Sequence, residues 1–341
     1  MLDKAWDTGR VHPDAREAHG GMHRPKRENT AGMDELAGRT AAVIGAGTIG
    51  VSWATLFAAY GMQVRISDPR EDAQEVVEQA VRRFAETLPG GPRDPAELLA
   101  RVAVTGQDEA VDGADVVQEN GPERLDLKRS LWAGVERVAP AHALLLSSTS
   151  GLMPSEMSTE MAEPGRLLVG HPFNPPHVVP LVEVVPGAAT TPEQVEATVT
   201  FYRALGKAPV ALHHEIGGFV ANRLQSALFR EGVHLVLSGV VTAEELDRVV
   251  TESMGVRWAT AGPFESYSLG GGPGGLRHLL EHLGPGMARR WKDLGQPELT
   301  ADVIDELSTA TEERFAGRPY EERVQDRDRA QLAVLAARRQ L

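Results

Sequence analysis

The stretch Val43-Ile44-Gly45-Ala46-Gly47-Thr48-Ile49-Gly50 constrains the fold more than any other part of the chain. It places three glycines at G-x-G-x-x-G spacing between a short apolar run ending at Ile44 and a helical period over residues 49–60. Glycine-rich turns are common, so the spacing alone says little. Here strand, turn and helix follow one another, and an acid closes the next apolar strand: Asp68, 18 residues past Gly50. Each residue then has a physical task. Gly45 makes the tight turn, Gly47 lets the backbone approach a pyrophosphate, and Gly50 allows the helix to pack closely on the strand. Thr48 and Ile49 open a helix whose free N–H groups and dipole favour phosphate. Asp68 can accept from a ribose diol and would repel a 2′-phosphate, so the expected cofactor is NAD rather than NADP. Arg70, two residues on, is the feature that cuts against this.

Further along, apolar strands are expected at 63–67, 102–104, 114–118, 143–147, 167–170 and 181–185, and helices at 72–87, 95–101, 124–138 and 192–204. Such alternation predicts an α/β fold, a Rossmann-type doubly wound parallel sheet. From Gly218 the period is helical throughout (219–238, 243–254, 264–283, 286–294, 300–315, 320–337), which predicts an all-helical C-terminal domain. The expected organisation is a disordered extension over 1–37, a cofactor domain over 38–216 and a helical substrate and dimerisation domain over 217–341. The extension holds His12, His19 and His23, whose spacing matches no metal-ligand motif. The glycines between Gly270 and Gly275 lack the Lys-Ser/Thr of a phosphate loop and read as a break between helices.

Composition excludes several classes of function. Without cysteine there is no thiolate catalysis, disulfide or cysteine metal site. The net charge of −13 comes without a basic block, so nucleic acid and anionic membranes are not expected partners. No apolar run approaches the length of a bilayer span, and the first residues lack the apolar core of a signal peptide. The expectation is a cytoplasmic enzyme.

The chemistry is concentrated in Gly170-His171-Pro172-Phe173-Asn174-Pro175-Pro176-His177-Val178-Val179-Pro180-Leu181-Val182-Glu183-Val184-Val185. Glu183 interrupts an apolar strand, and a buried carboxylate needs a partner. His171, at the end of the preceding strand, can supply one. Glu183 would then fix the imidazole tautomer and stabilise the imidazolium. A core histidine satisfied by backbone, with a glutamate paired to some arginine, fits the spacing equally well. Two features favour the dyad. Ser147-Ser148-Thr149-Ser150-Gly151 follows an apolar strand, at the end of a sheet where ligands bind. Asn222, in Gly217-Gly218-Phe219-Val220-Ala221-Asn222-Arg223, opens the helical half and either faces the same cleft or caps a helix.

These motifs together, VIGAGTIG, SSTSGLMPSEM, GHPFNPPHVVPLVEVVPG and GGFVANRL, resemble the 3-hydroxyacyl-CoA dehydrogenase superfamily over about residues 39–335. SSTSGLMPS, HPFNPPHVVPLVE and GVRWATAGPFE look most like its L-gulonate 3-dehydrogenase (lambda-crystallin) branch. The resemblance implies that His171 is the general base, oriented by Glu183, and that Ser150 and Asn222 hydrogen-bond the reacting oxygen. It also implies that Glu123 and Lys128 lie near the nicotinamide half of NAD and that the helical domain forms a homodimer; no metal is expected at the site. The expected substrate is a small 3-hydroxy acid such as L-gulonate, with 3-hydroxyacyl-CoA and then L-carnitine as alternatives. A non-catalytic, structural NAD-binding protein is the alternative of a different class, and the intact Ser150, His171, Glu183 and Asn222 set weighs against it. No lysine lies between Arg27 and Leu127, which weakens the acyl-CoA reading, although Arg82, Arg83 and Arg93 could replace lysines there. Trp258 and Tyr267 could face a trimethylammonium. Arg257 is the expected partner of a substrate carboxylate, since a guanidinium fork suits it; the competing reading is a surface arginine paired with Glu252 or Glu265.

Overall fold

Eight strands form one sheet: β1 (Thr40–Ile44), β2 (Gln63–Ser67), β3 (Val102–Val104), β4 (Val116–Glu119), β5 (Leu144–Ser147), β6 (Leu167–Pro172), β7 (Leu181–Pro186) and β8 (Ala208–Ala211). The computed structural model describes residues 30–340. Strand order is β3-β2-β1-β4-β5-β6-β7-β8. β1 pairs in parallel with both β2 and β4, so the chain reverses its direction of travel across the sheet there. That switch point opens a crevice at the carboxyl ends of β1 and β4, where open α/β sheets bind ligands.

Burial on both faces explains the near-continuous Val, Ala, Ile and Leu runs of the central strands. Ala41 and Val43 point to a core with Trp53 and Phe57 of the helix Thr48–Ala59 and Tyr202 of the helix Pro192–Ala204. Ala42 and Ile44 point to the other core, with Trp132 and Val135 of the helix Leu125–Val138. After β8 the described residues are helical, from Ala221–Leu237 to Tyr320–Arg338. A Rossmann-type sheet domain followed by a helical domain is therefore the architecture. No helix among the described residues is long and apolar enough to cross a membrane.

Four details differ from the sequence reading. β7 runs antiparallel to β6 rather than parallel. Their connection, residues 173–180, is shorter than the dozen or so residues a parallel crossover needs. β8 was not expected; Pro209 hides it, and an exposed edge strand tolerates proline. Of the extension assigned to 1–37, residues 1–29 lie outside the described ones, while Thr30–Leu36 is a helix anchored by the fully buried Leu36. Finally, the helices expected at 264–283 and 286–294 are Pro263–Gly270 and Gly275–Asp293. The split falls at Gly272 and Gly275, whose φ values of 60° and 63° stop a right-handed helix, and the second helix runs on through Pro285.

Candidate active site

At the first turn, Gly45 has φ 95° and donates its N–H to Ser67 O at 2.7 Å. A Cβ there would lie 2.7 Å from Asn120 O, and one on Gly50 would lie 1.9 Å from Gly45 O. Neither position admits a side chain. Gly47 differs: a Cβ would meet nothing within 4 Å, so it faces open space. It also caps the helix Thr48–Ala59, and no side chain among the described residues caps that helix's first N–H groups. Thr48 is exposed beside it, whereas Ile49 packs against the core.

Asp68 accepts from Ala46 N at 2.7 Å and, with its other oxygen, from Arg70 N and Nε at 3.0 and 3.1 Å. Burial pushes its carboxyl up, but the N–H groups of Ala46 and Arg70 and the Arg70 guanidinium outweigh this and hold it below the usual range. Across the crevice, Asn120 Oδ1 is buried with no donor among the described residues. Open backbone at Gly47, uncapped helix N–H groups, a fixed carboxylate and an unpaired acceptor all suit a dinucleotide's pyrophosphate and ribose hydroxyls.

On the other side of the switch point, Glu123 collects the hydroxyl cluster. It accepts from Ser150 N at 2.6 Å, Ser150 Oγ at 2.9 Å and Thr149 Oγ1 at 2.8 Å. Burial raises its pKa, yet these donors, together with the Lys128 ammonium 3.7 Å away, bring it below the ordinary value. Lys128 itself is buried on the helix Leu125–Val138.

His171 and Glu183 stand directly opposite each other in the β6–β7 ladder. His171 Nδ1 lies 2.9 Å from Glu183 Oε2, and both side chains are buried. Phe173 and Phe219 flank the imidazole, with ring centroids 5.2 and 5.3 Å away. The second Glu183 oxygen accepts from Val220 N and Ala221 N at 2.9 and 3.0 Å. Burial pushes the Glu183 carboxyl up; the His171 bond and the N–H groups of Ala221 and Val220 more than offset it. Asn222, the next residue, donates Nδ2 to Ser150 O at 3.0 Å. The start of the helix Ala221–Leu237 thus joins the His171–Glu183 pair to the Ser150–Glu123 cluster. Phe219, just before it, is fully buried with φ 51°, a backbone state that costs a bulky residue about 1–3 kcal/mol.

Arg257 is not brought into this group. It lies exposed on the helix Val256–Thr260, and its guanidinium has no partner among the described residues, neither Glu252 nor Glu265. The cavity beside Asn222, of about 380 Å³, is lined instead by Arg223 and Arg230. No group of three or more His, Asp or Glu able to hold a metal occurs among the described residues.

Two family models match along the chain. The NAD-binding domain of 3-hydroxyacyl-CoA dehydrogenase covers residues 40–216, and the C-terminal domain of the same family covers 218–318. The chain belongs to the 3-hydroxyacyl-CoA dehydrogenase family. It is an NAD-dependent dehydrogenase, whose NAD-binding domain spans residues 40–216. An L-carnitine dehydrogenase of Streptomyces griseus subsp. griseus is 42% identical, over 88% of this chain and 90% of its own length. A 3-hydroxyacyl-CoA dehydrogenase of Gibberella moniliformis is 39% identical, over 89% and 96%. Among solved structures, 5-formyl-3-hydroxy-2-methylpyridine 4-carboxylic acid 5-dehydrogenase, an NAD+-dependent dismutase, superimposes with a TM-score of 0.72. It is 27% identical, over 89% of this chain and 99% of that one. The L-gulonate branch expected from SSTSGLMPS and its companion motifs is corrected by these relatives, since motifs shared within a family do not resolve its branches.

Sequence reasoning passed over Glu119, Asn120, His177 and Phe219. Glu119 ends β4 and Asn120 follows it at the switch point, a position that marks them. His177 and Phe219 carry no such signal, because their partners are distant in sequence or in backbone conformation.

Proposed function

We propose that the protein oxidises the 3-hydroxyl of L-carnitine, a small zwitterionic 3-hydroxy acid, to the 3-keto acid with NAD. The observation that carries this reading is the 42% identity to an L-carnitine dehydrogenase over nearly the whole chain. The geometry suits the chemistry. With Nδ1–H donating to Glu183, Nε2 of His171 is left to take the proton of the substrate hydroxyl, and Glu183 stabilises the imidazolium that forms. Ser150 Oγ and Asn222 Nδ2 now donate to Glu123 and to Ser150 O, and would exchange those partners for the substrate oxygen. NAD, when bound, supplies the hydride acceptor.

The two charged ends of the substrate need opposite surroundings. Trp258 and Tyr267 offer exposed aromatic faces to a trimethylammonium. A cation for the carboxylate comes from Arg257, the sequence-based choice, or from Arg223 and Arg230 in the cavity beside Asn222. NADH formation should be followed with L-carnitine, L-gulonate, 3-hydroxybutyrate and 3-hydroxybutyryl-CoA. The highest kcat/KM is expected for L-carnitine; a higher value for gulonate would refute the reading. The Gibberella moniliformis relative favours the acyl-CoA substrate as the second reading, and the same assay decides between them.

A further inference from the structure

Glu119, the last residue of β4, is 1% exposed, and the mechanism above makes no use of it. Its Oε1 accepts from Lys128 Nζ at 2.5 Å and from Gly121 N at 2.6 Å, while Oε2 accepts from Ser147 Oγ at 2.5 Å. All three of its partners are donors, the acceptor-only pattern that suits a carboxylate. Lys128 also donates to Gly121 O at 3.3 Å and lies 3.7 Å from Glu123, which in turn holds Ser150. One cation therefore serves two anions. The cluster carries a net charge of −1, and its Glu119–Lys128 core is out of water.

Its place in the sheet gives that charge a role. Asp68, immediately after β2, marks the adenosine side of the switch point. The Glu119 cluster sits at the carboxyl ends of β4 and β5, on the opposite side, where the nicotinamide half of a bound dinucleotide would lie. Oxidised nicotinamide carries a positive charge that the reduced ring lacks.

We propose that Glu119 is a positioning residue that acts through Lys128: it keeps the cluster net negative and so biases the protein toward NAD+ over NADH. A bias of this kind draws in the oxidised cofactor and helps release the reduced one. The inference rests on NAD binding and is independent of which 3-hydroxy acid is oxidised.

The test measures dissociation constants of NAD+ and NADH on the full chain, by calorimetry and NADH fluorescence, with no substrate present. Glu119→Gln keeps the shape and removes one charge. It should weaken NAD+ relative to NADH on the order of tenfold, because a unit charge is lost from a cluster shielded from water. Glu119→Gln combined with Lys128→Met restores a net charge of −1 and should bring the ratio back to within about threefold of wild type. General damage to the loop would not be reversed by a second substitution. An unchanged ratio in Glu119→Gln, or a double variant shifted as far as the single, overturns the proposal. If Glu119→Gln does not fold, Glu123→Gln removes the same charge from the half-exposed end, and a ratio it leaves unmoved overturns the proposal too.

Discussion

His171 is fixed at the level of single atoms: Nδ1 to Glu183, two phenylalanine rings packed at an angle beside it, and Glu183 tied onward to Val220 and Ala221. The proposed base, held in this way, would act with its partner as a unit. His171→Ala should lower kcat by about 10²–10⁴-fold, and Glu183→Gln by less. The double variant should lose little more than His171→Ala alone, because effects within a unit do not add. Steady-state kinetics on the three variants checks this, and near-wild-type kcat in His171→Ala would remove the base from the mechanism. Asp68 makes a second residue-scale case. It holds the Arg70 guanidinium, which would otherwise be a ready partner for a 2′-phosphate. Asp68→Ser removes one charge and frees the other, so the NADP-to-NAD ratio of kcat/KM should rise by about tenfold or more. A ratio that stays put would mean that Arg70 never reaches the ribose.

Among the elements, the β6–β7 connection decides most, since it sets the register that makes His171 and Glu183 neighbours. His177 anchors it. The ring lies between Ser52 Oγ at 2.8 Å and Thr87 Oγ1 at 3.0 Å, and the backbone N–H of His177 donates to Ser52 Oγ. Burial, and then the charges of Lys207, Arg327 and Arg83, push its pKa down to about 3. An unfolded histidine titrates near pH 6.5. Between those values only the unfolded chain binds the proton. The stability this group contributes is therefore complete above about pH 6.5 and is lost as pH falls toward 3, on the order of 3–5 kcal/mol in all. Thermal midpoints should drop steeply through that window, and His177→Asn should flatten the drop while lowering stability at neutral pH. An acid slope unchanged by the substitution would assign the loss to the carboxylates. The same connection shows what was legible in the sequence. The glycine turn, Asp68 and the alternating elements could be read because their signals are local. The reversal of β7 was also present, in the shortness of residues 173–180, but a proline-rich stretch drew attention to its chemistry. The anchoring of His177 could not be read: Ser52 lies 125 residues away. Phe219 could not be read either, because nothing in a phenylalanine announces a positive φ.

The whole molecule hides its apolar surface unevenly. The NAD domain buries Trp53, Trp132, Phe57 and Tyr202, whereas the helical half leaves Phe264 79% exposed, Leu269 70% and Trp291 65%. The helix Ala221–Leu237 buries only Gly232 and Val233, and shows Leu224, Leu228 and Phe229 to solvent. Monomers rarely expose so many large apolar side chains in one region. A second copy is a suitable cover, because a two-fold axis pairs one patch with itself. We therefore predict a homodimer through the helical half, with a total buried area of about 1,600 Å² or more. Sedimentation equilibrium at micromolar concentration tests it, and a monomeric wild type would refute it. The prediction reaches into the active site. Asn222 and the N–H groups that hold Glu183 sit on the first turn of the helix that carries Leu224, Leu228 and Phe229. Covering that helix should steady both pairs. Phe229→Asp, far from any reacting atom in sequence, should then shift the protein toward monomer and depress kcat in the same concentration range. A variant that is monomeric yet fully active would separate assembly from catalysis.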